Sequence, residues 1–315
     1  MGVISMGIEA KDLLSVHDLS ITDVKEILDL AKKLKAQQKN GEQHHLLKGK
    51  TLGMIFQKAS TRTRVSFEVG MWQLGGSALF LNANDLQIGR GELVKDTARV
   101  LSRYVDGIMI RTASQNEVIE MAKYATVPVI NALTEMMHPC QALTDIFTVM
   151  EYKGKLQGLK MGYIGDGNNM VHSLMHACAK VGMDISIATP KGYEPDAEIV
   201  EEAQKVARVT GSIITLCNDP LLAANQADVL YTDVWASMGR ETEQNIRKVA
   251  FAGYQINREV MNVAKPDAIV LHCLPAHRGE EITDEVMESA QSVVFEEAEN
   301  RLHVQKAIMV LLMKQ

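Results

Sequence analysis

The chain has 315 residues, of which 46% are apolar and 23% charged, enough for two domains of ordinary size. Its formal charge of -6, from 33 basic and 39 acidic side chains, weighs against non-specific binding to nucleic acid but leaves room for a local cationic pocket. No apolar run reaches the length of a membrane span, and the N-terminus lacks the basic region and apolar core of a secretory signal. Four cysteines far apart in sequence, Cys140, Cys178, Cys217 and Cys273, predict a reducing, cytoplasmic setting rather than a disulfide framework.

Ser20-Ile21-Thr22 opens a helical pattern through Val24, Ile27, Leu28, Ala31 and Leu34, which Asn40-Gly41 stops. Thr51 to Phe56 reads as a short buried strand, and Val65 to Leu74 has helical apolar spacing. Between them lies Gln57-Lys58-Ala59-Ser60-Thr61-Arg62-Thr63-Arg64. Backbone N–H groups are unpaired at a helix start, and the dipole there favours anions. Arginine adds rigid paired donors for phosphate oxygens, and Ser60, Thr61 and Thr63 add short ones. A hydroxyl cap with solvent-facing arginines fits the same residues equally well.

A second strand is expected at Ser77 to Leu81, then a polar loop from Asn82 to Gly91 containing Gln87, and a helix from Glu92 to Tyr104. Gly107 to Ile110 reads as a buried strand with Arg111 at its exit, Asn116 to Tyr124 as a helix, and Val127 to Asn131 as a fourth strand. His138-Pro139-Cys140-Gln141 then leads into a helix from Ala142 to Tyr152, with Pro139 tolerated in its first turn. The alternation predicts a mostly parallel sheet with covering helices, whose ligands bind beyond the C-terminal strand ends. Arg62 and Arg111 both follow strands and can converge there.

The polar break from Lys153 to Gly158 marks a domain boundary. The predicted fold is α/β with two domains, 1–152 and 153–315, each a mostly parallel sheet flanked by helices. A final helix, about 298–312, is expected to pack back on the first domain. In the second half, Lys160 to Ile164, Asp184 to Ala188, Gly211 to Cys217, Ala227 to Thr232 and Ala268 to Leu271 read as strands. The turn Gly165-Asp166-Gly167-Asn168-Asn169 resembles a dinucleotide-binding turn, but Met170 holds the third glycine position and no acidic residue closes the next strand. A nucleotide-free domain suits it better. Asn169, at the helix start, is either a ligand contact or an ordinary cap.

Asp233-Val234-Trp235-Ala236-Ser237-Met238-Gly239 and His272-Cys273-Leu274-Pro275-Ala276-His277 each follow a strand. His272, Cys273 and His277 do not match a strong zinc signature. Residue type alone allows Cys273 as a covalent nucleophile, as an orienting group or as a buried structural cysteine.

These motifs, with Ser60-Thr61-Arg62-Thr63-Arg64, His138-Pro139-Cys140-Gln141 and Asn168-Asn169, resemble the ornithine branch of the aspartate/ornithine carbamoyltransferase family over essentially the full chain. The resemblance implies a first domain for carbamoyl phosphate and a second for L-ornithine, with citrulline and phosphate as products. It implies no cofactor and no metal. It places Ser60, Thr61, Arg62, Thr63, Arg111, His138, Gln141 and Arg301 around carbamoyl phosphate. Asn169, Asp233, Ser237 and Met238 match ornithine contacts, while Cys273 and Leu274 match residues where the two substrates meet. Gln87 matches a residue that reaches a neighbouring subunit's site, as in the trimers common to the family, some of which assemble further. The implied catalytic set is Arg62, Arg111, His138, Asp233 and Cys273, with direct attack by the neutral δ-amine and domain closure excluding water. Two other readings remain. A putrescine carbamoyltransferase would not need Asn169 and the Ser237-Met238-Gly239 loop. An anion-binding regulatory protein would not need Arg62, His138, Asp233 and Cys273 intact.

Overall fold

A computed structural model describes residues 8–236 and 241–314. The chain forms two compact units: one runs to Leu143 and resumes at Asn300, and the other is Thr144–Glu299. The passage between them falls within the helix Pro139–Lys153 and the return within Val294–Met313.

The first unit carries a four-stranded sheet. Its strands are β1 (Thr51–Phe56), β2 (Ser77–Asn82), β3 (Gly107–Arg111) and β4 (Val129–Leu133), in the order β2-β1-β3-β4 and all parallel. Its helices are α1 (Ile21–Lys39), α2 (Thr61–Gln73), α3 (Val94–Leu101) and α4 (Gln115–Tyr124), and α5 (Pro139–Lys153) leads on into the second unit. Helix α1 begins with a capping box: Ser20 Oγ accepts from the Asp23 amide at 3.0 Å, and Asp23 Oδ2 accepts from the Ser20 amide at 2.9 Å. Its buried stripe is Val24, Ile27, Leu28, Ala31 and Leu34, and Gly41, at φ 73°, lets the chain turn away. Helix α2 starts earlier than the apolar spacing suggested, because Ser60 caps it from just after the strand, accepting from the Thr63 amide at 3.2 Å. Helix α3 is shorter than expected, since residues 102–104 form a turn.

The second unit carries a five-stranded sheet. Its strands are β5 (Lys160–Ile164), β6 (Asp184–Ala188), β7 (Ile214–Cys217), β8 (Val229–Tyr231) and β9 (Ile269–Leu271). They run in the order β7-β6-β5-β8-β9, again parallel. Buried Ile164, Leu230, Val270, Ile256 and Val286 belong to one core cluster of this unit. The helices Gln244–Ala250 and Asp284–Met287 lie in stretches where periodicity gave no helix. At four or seven residues they are too short to show a sustained apolar repeat. The turn after β5 is tight for steric reasons. A Cβ on Gly167 would sit 2.3 Å from the Glu194 carbonyl carbon, so this glycine answers to packing within the domain rather than to a pyrophosphate.

Carboxylates staple the N-terminal ends of both sheets. Asp106 accepts from the Thr51 amide at 2.8 Å, Asp12 from Val129 at 2.8 Å, Asp228 from Lys160 at 2.9 Å and Asp184 from Ile213 at 2.8 Å.

In the first unit, fully buried Lys306 ties three segments together. It donates to Gln38 Oε1 at 2.7 Å and Gln73 Oε1 at 2.9 Å, and lies 3.1 Å from His44 Nε2. All three acceptors are neutral, and burial lowers the ammonium pKa from 10.5 to about 8. The unfolded chain therefore binds the extra proton between these values. This penalty is full below about pH 8 and is relieved as pH rises to 10.5. Denaturant titrations of the wild type and of Lys306→Met, near pH 7 and near pH 10.5, test this. The stability difference should move toward the wild type at the higher pH by up to roughly 3 kcal/mol; a difference independent of pH refutes it.

Candidate active site

Both sheets reverse their strand order at one place. In the first unit the chain builds outward from β1 to β2, then returns to add β3 and β4 on the other side. In the second it builds β5, β6 and β7, then adds β8 and β9 across β5. Ligands of parallel sheets bind at such switch points, beyond the C-terminal strand ends. Ser60 to Thr63 follow β1, Arg111 ends β3, and His138 follows β4. Asn168 and Asn169 follow β5, Asp233 follows β8, and Cys273 follows β9.

In the first unit the decisive group is His138, which is buried. Burial first, then the charges of Arg301, Arg111 and Arg62, push its ring well below the ordinary 6.5. Three guanidinium groups from well-separated parts of the chain thus act on one neutral imidazole. Arg301 is itself buried and donates from Nη2 to Thr63 Oγ1 at 2.8 Å. Thr63 and Gln141 are fully buried. Thr61 and Arg62 open helix α2, whose first N–H groups point toward its cap. Ser60 therefore serves as the cap, and the two readings of this stretch are compatible. Gln87 begins a short helical turn, Gln87–Arg90, and is exposed. Cys140 is fully buried, and burial pushes its thiol up to about 12, which leaves it inert.

The second unit has the opposite character. Cys273 Sγ donates to Asp233 Oδ1 at 3.1 Å. Burial first, then the Asp233 charge, raises the thiol pKa well above 9.0, so the group is a protonated donor and not a thiolate. Asp233 Oδ1 also accepts from the Val234 amide at 2.8 Å, and Asp233 Oδ2 accepts from Asn168 Nδ2 at 2.8 Å. Asn168 is the cap of helix α6 (Asn169–Val181), so Asn169 is the first helical residue and not the cap. Ser237 and Met238 lie outside the described residues.

Three atoms of Asp233, His272 and Cys273 lie within 4.8 Å of one another, the spacing of a metal site. The ring of His272 is otherwise engaged. Its Nδ1 accepts from the Leu274 amide at 2.9 Å, and its Nε2 faces Glu281 Oε1 at 3.1 Å. With both nitrogens used, this histidine fits a structural role better than a metal ligand. It also holds Leu274 at φ 57°, a left-handed conformation uncommon for a branched side chain. Leu274 is followed by a cis bond to Pro275.

Sequence reasoning passed over several residues of this cluster. Asn168 entered as part of a motif but not as a functional residue in its own right. Arg247, buried, donates from Nη1 to Asp166 Oδ2 at 2.8 Å and to the Trp235 carbonyl at 2.8 Å, joining the segments that follow β5 and β8. Tyr163 donates to the Asp166 carbonyl at 2.8 Å beneath the same turn. Nothing in local spacing distinguishes these from ordinary polar residues.

Two family models cover the chain. The carbamoyl-P binding domain of aspartate/ornithine carbamoyltransferase matches residues 11–151, and its Asp/Orn binding domain matches residues 157–312. The chain is 60% identical to the ornithine carbamoyltransferase of Syntrophotalea carbinolica, over 96% of this chain and 99% of that one. Its structure superposes on that of the Pyrococcus furiosus ornithine carbamoyltransferase with a TM-score of 0.94 at 54% identity, covering 99% of each chain. The anabolic ornithine carbamoyltransferase of Campylobacter jejuni gives a TM-score of 0.90 at 45% identity, over 96% of this chain and 99% of that one. Similarity of this extent in both halves, together with the arginine and thiol clusters at the strand ends, means that the chain belongs to the aspartate/ornithine carbamoyltransferase family.

Proposed function

We propose that this chain is an enzyme that transfers the carbamoyl group of carbamoyl phosphate to the δ-amine of L-ornithine, releasing L-citrulline and phosphate. The observation that carries the reading is the convergence of Arg62, Arg111 and Arg301 on a neutral His138. Such a cluster suits a dianionic phosphoryl group, and a neutral imidazole can donate to a carbamoyl oxygen without adding a fourth charge. In this reading Ser60, Thr61, Arg62, Thr63, Arg111, His138, Gln141 and Arg301 bind carbamoyl phosphate. Asn169, Asp233, Ser237 and Met238 bind ornithine, and Cys273 and Leu274 serve both substrates. The domains are assigned as 1–152 for carbamoyl phosphate and 153–315 for ornithine, with the C-terminal helix counted with the first.

The chemistry needs no cofactor. The lone pair of the neutral δ-amine attacks the carbamoyl carbon and gives a tetrahedral species. The bond from that carbon to the phosphate ester oxygen then breaks, and the amine proton passes to the departing phosphate. Arg62 and Arg111 stabilise the charge that moves onto phosphate, and His138 and Arg301 polarise the carbamoyl oxygen. Asp233 fixes the α-ammonium of ornithine. Cys273, protonated on Asp233, orients the δ-nitrogen and forms no bond to carbon.

Citrulline release with ornithine, putrescine and aspartate as alternative acceptors tests the substrate, and only ornithine should support rapid turnover. Rapid-quench mass spectrometry with carbamoyl phosphate alone should find Cys273 unmodified. A kinetically competent carbamoyl adduct on Cys273 would overturn direct attack while leaving the substrate standing.

Arg62→Ala removes one of the three charges facing the anion. It should weaken carbamoyl phosphate use by roughly ten- to hundredfold while the far-ultraviolet circular dichroism stays unchanged. Wild-type constants in this variant would refute the anion site.

The proposed assembly is a homotrimer with shared sites, working in the cytoplasm in arginine metabolism. Val65 and Trp72 on α2 and Leu79 and Phe80 on the edge strand β2 are exposed, Trp72 at 76%, which is an apolar surface suited to a second copy. Gln87 follows that strand. Mixing Gln87→Ala and Arg62→Ala subunits should restore activity in hybrids that keep one intact site. Confirmed subunit exchange with no gain over either parent counts against sharing.

A further inference from the structure

The Asn168 side chain performs two tasks with its two ends. Its Oδ1 accepts from the Met170 amide at 2.9 Å and from Val171 at 3.4 Å, capping helix α6. Because the helix takes the oxygen, the amide can point only its nitrogen at Asp233, and Nδ2 donates to Asp233 Oδ2 at 2.8 Å. The cap thus settles the orientation of the amide, and the amide settles the orientation of the carboxylate.

The consequence lies in the remaining capacity of Asp233. A carboxylate offers about four lone-pair sites. The Val234 amide and the Cys273 thiol take those of Oδ1, and Asn168 takes one on Oδ2. Among the described residues these are the donors to Asp233, which leaves about one acceptor position, on Oδ2, in a direction set by the other three. An incoming ammonium meets a carboxylate that is already aligned, at no further entropic cost.

We infer that Asn168 is a positioning residue for amino-acid binding: as helix cap it holds Asp233 so that the open lone pair of Oδ2 receives the substrate ammonium. The inference rests on the reading of Asp233 as the ammonium ligand of an ornithine carbamoyltransferase. The role assigned to Asn168 acts through Asp233, by the bond from its Nδ2 to Asp233 Oδ2. Rotation of the Asp233 carboxylate would also break its bond with Cys273. Asn168 therefore steadies the thiol as well.

Capping and positioning can be separated by substitution. Serine and aspartate both cap helices about as well as asparagine. Neither gives Asp233 a donor: serine is too short to span both tasks, and an ionised aspartate repels it. Asn168→Ser should melt close to the wild type and keep its KM for carbamoyl phosphate. Its KM for ornithine and its Kd for L-norvaline, which has the α-ammonium but no δ-amine, should rise roughly ten- to hundredfold. Asn168→Asp should lose norvaline affinity further near pH 8. It should recover part of it as pH falls and one proton is shared between the two carboxylates, a trend absent from the wild type.

Wild-type norvaline affinity in a folded Asn168→Ser protein overturns the inference, as does equal weakening of both substrates. If the serine variant fails to fold, the pH trend of the aspartate variant decides, and a flat profile is the overturning result. The control is wild-type turnover of ornithine. Its absence would sink the functional reading itself, whereas normal wild-type turnover with unaffected variants would sink only the role of Asn168.

Discussion

The constraint on which both candidate sites depend is the reversal of strand order in a parallel sheet. A parallel strand cannot be joined to its neighbour by a hairpin, so each connection crosses over a face through a helix, almost always with one hand. When the chain extends the sheet first to one side and then to the other, the two sets of crossovers leave from adjacent strands in opposite directions. A gap opens beyond those two strand ends. In the first unit the gap lies at β1 and β3, the strands that carry Arg62 and Arg111. In the second it lies at β5 and β8, which carry Asn168 and Asp233. Residues distant in sequence become neighbours there because the topology leaves no backbone to fill the space.

The two gaps are furnished with opposite chemistry. One gathers guanidinium groups around an imidazole that their charges and burial keep neutral. The other gathers an aspartate with neutral donors, an amide and a thiol that burial and the aspartate keep protonated. In neither does the imidazole or the thiol titrate near neutral pH. Both offer fixed dipoles and charges, the kind of preorganised environment that stabilises charge displacement without reorganising during the reaction. This suits a reaction in which the donor substrate carries its own leaving group and proton acceptor.

The ends of the sheets divide stability from function. At the N-terminal strand ends, Asp12, Asp106, Asp184 and Asp228 accept backbone amides that begin neighbouring strands, which pins the register. At the C-terminal ends stand the polar groups of both candidate sites, with supporting bonds from residues behind them. His272 shows the pattern. Its ring is held between the Leu274 amide and the buried Glu281, and its amide donates to Glu297 at 2.9 Å. Both ring nitrogens and the amide are thus engaged. Its role is to fix the backbone on which Cys273 and Leu274 stand.

The sequence by itself determined the class of the fold and pointed to the residue types of both candidate sites. Buried strands such as Thr51–Phe56 and Lys160–Ile164 are continuous apolar runs, and helices such as Ile21–Lys39 show their stripe and cap, because burial on two faces or one leaves a periodic trace. Position after a strand drew notice to Arg62, Arg111, His138, Asp233 and Cys273, and the family resemblance singled them out as the candidate catalytic set. Short helices such as Gln244–Ala250 left no such trace. Only the tertiary structure decided which strands are neighbours, and hence which side chains share a gap. It alone assigned the cap to Asn168 instead of Asn169, and occupied both nitrogens of His272. It also brought Arg301 to Thr63, across most of the chain. The physical reason is that hydrogen-bond geometry and screening by burial depend on distances in space. Local sequence constrains those distances only within a few residues along a helix or strand.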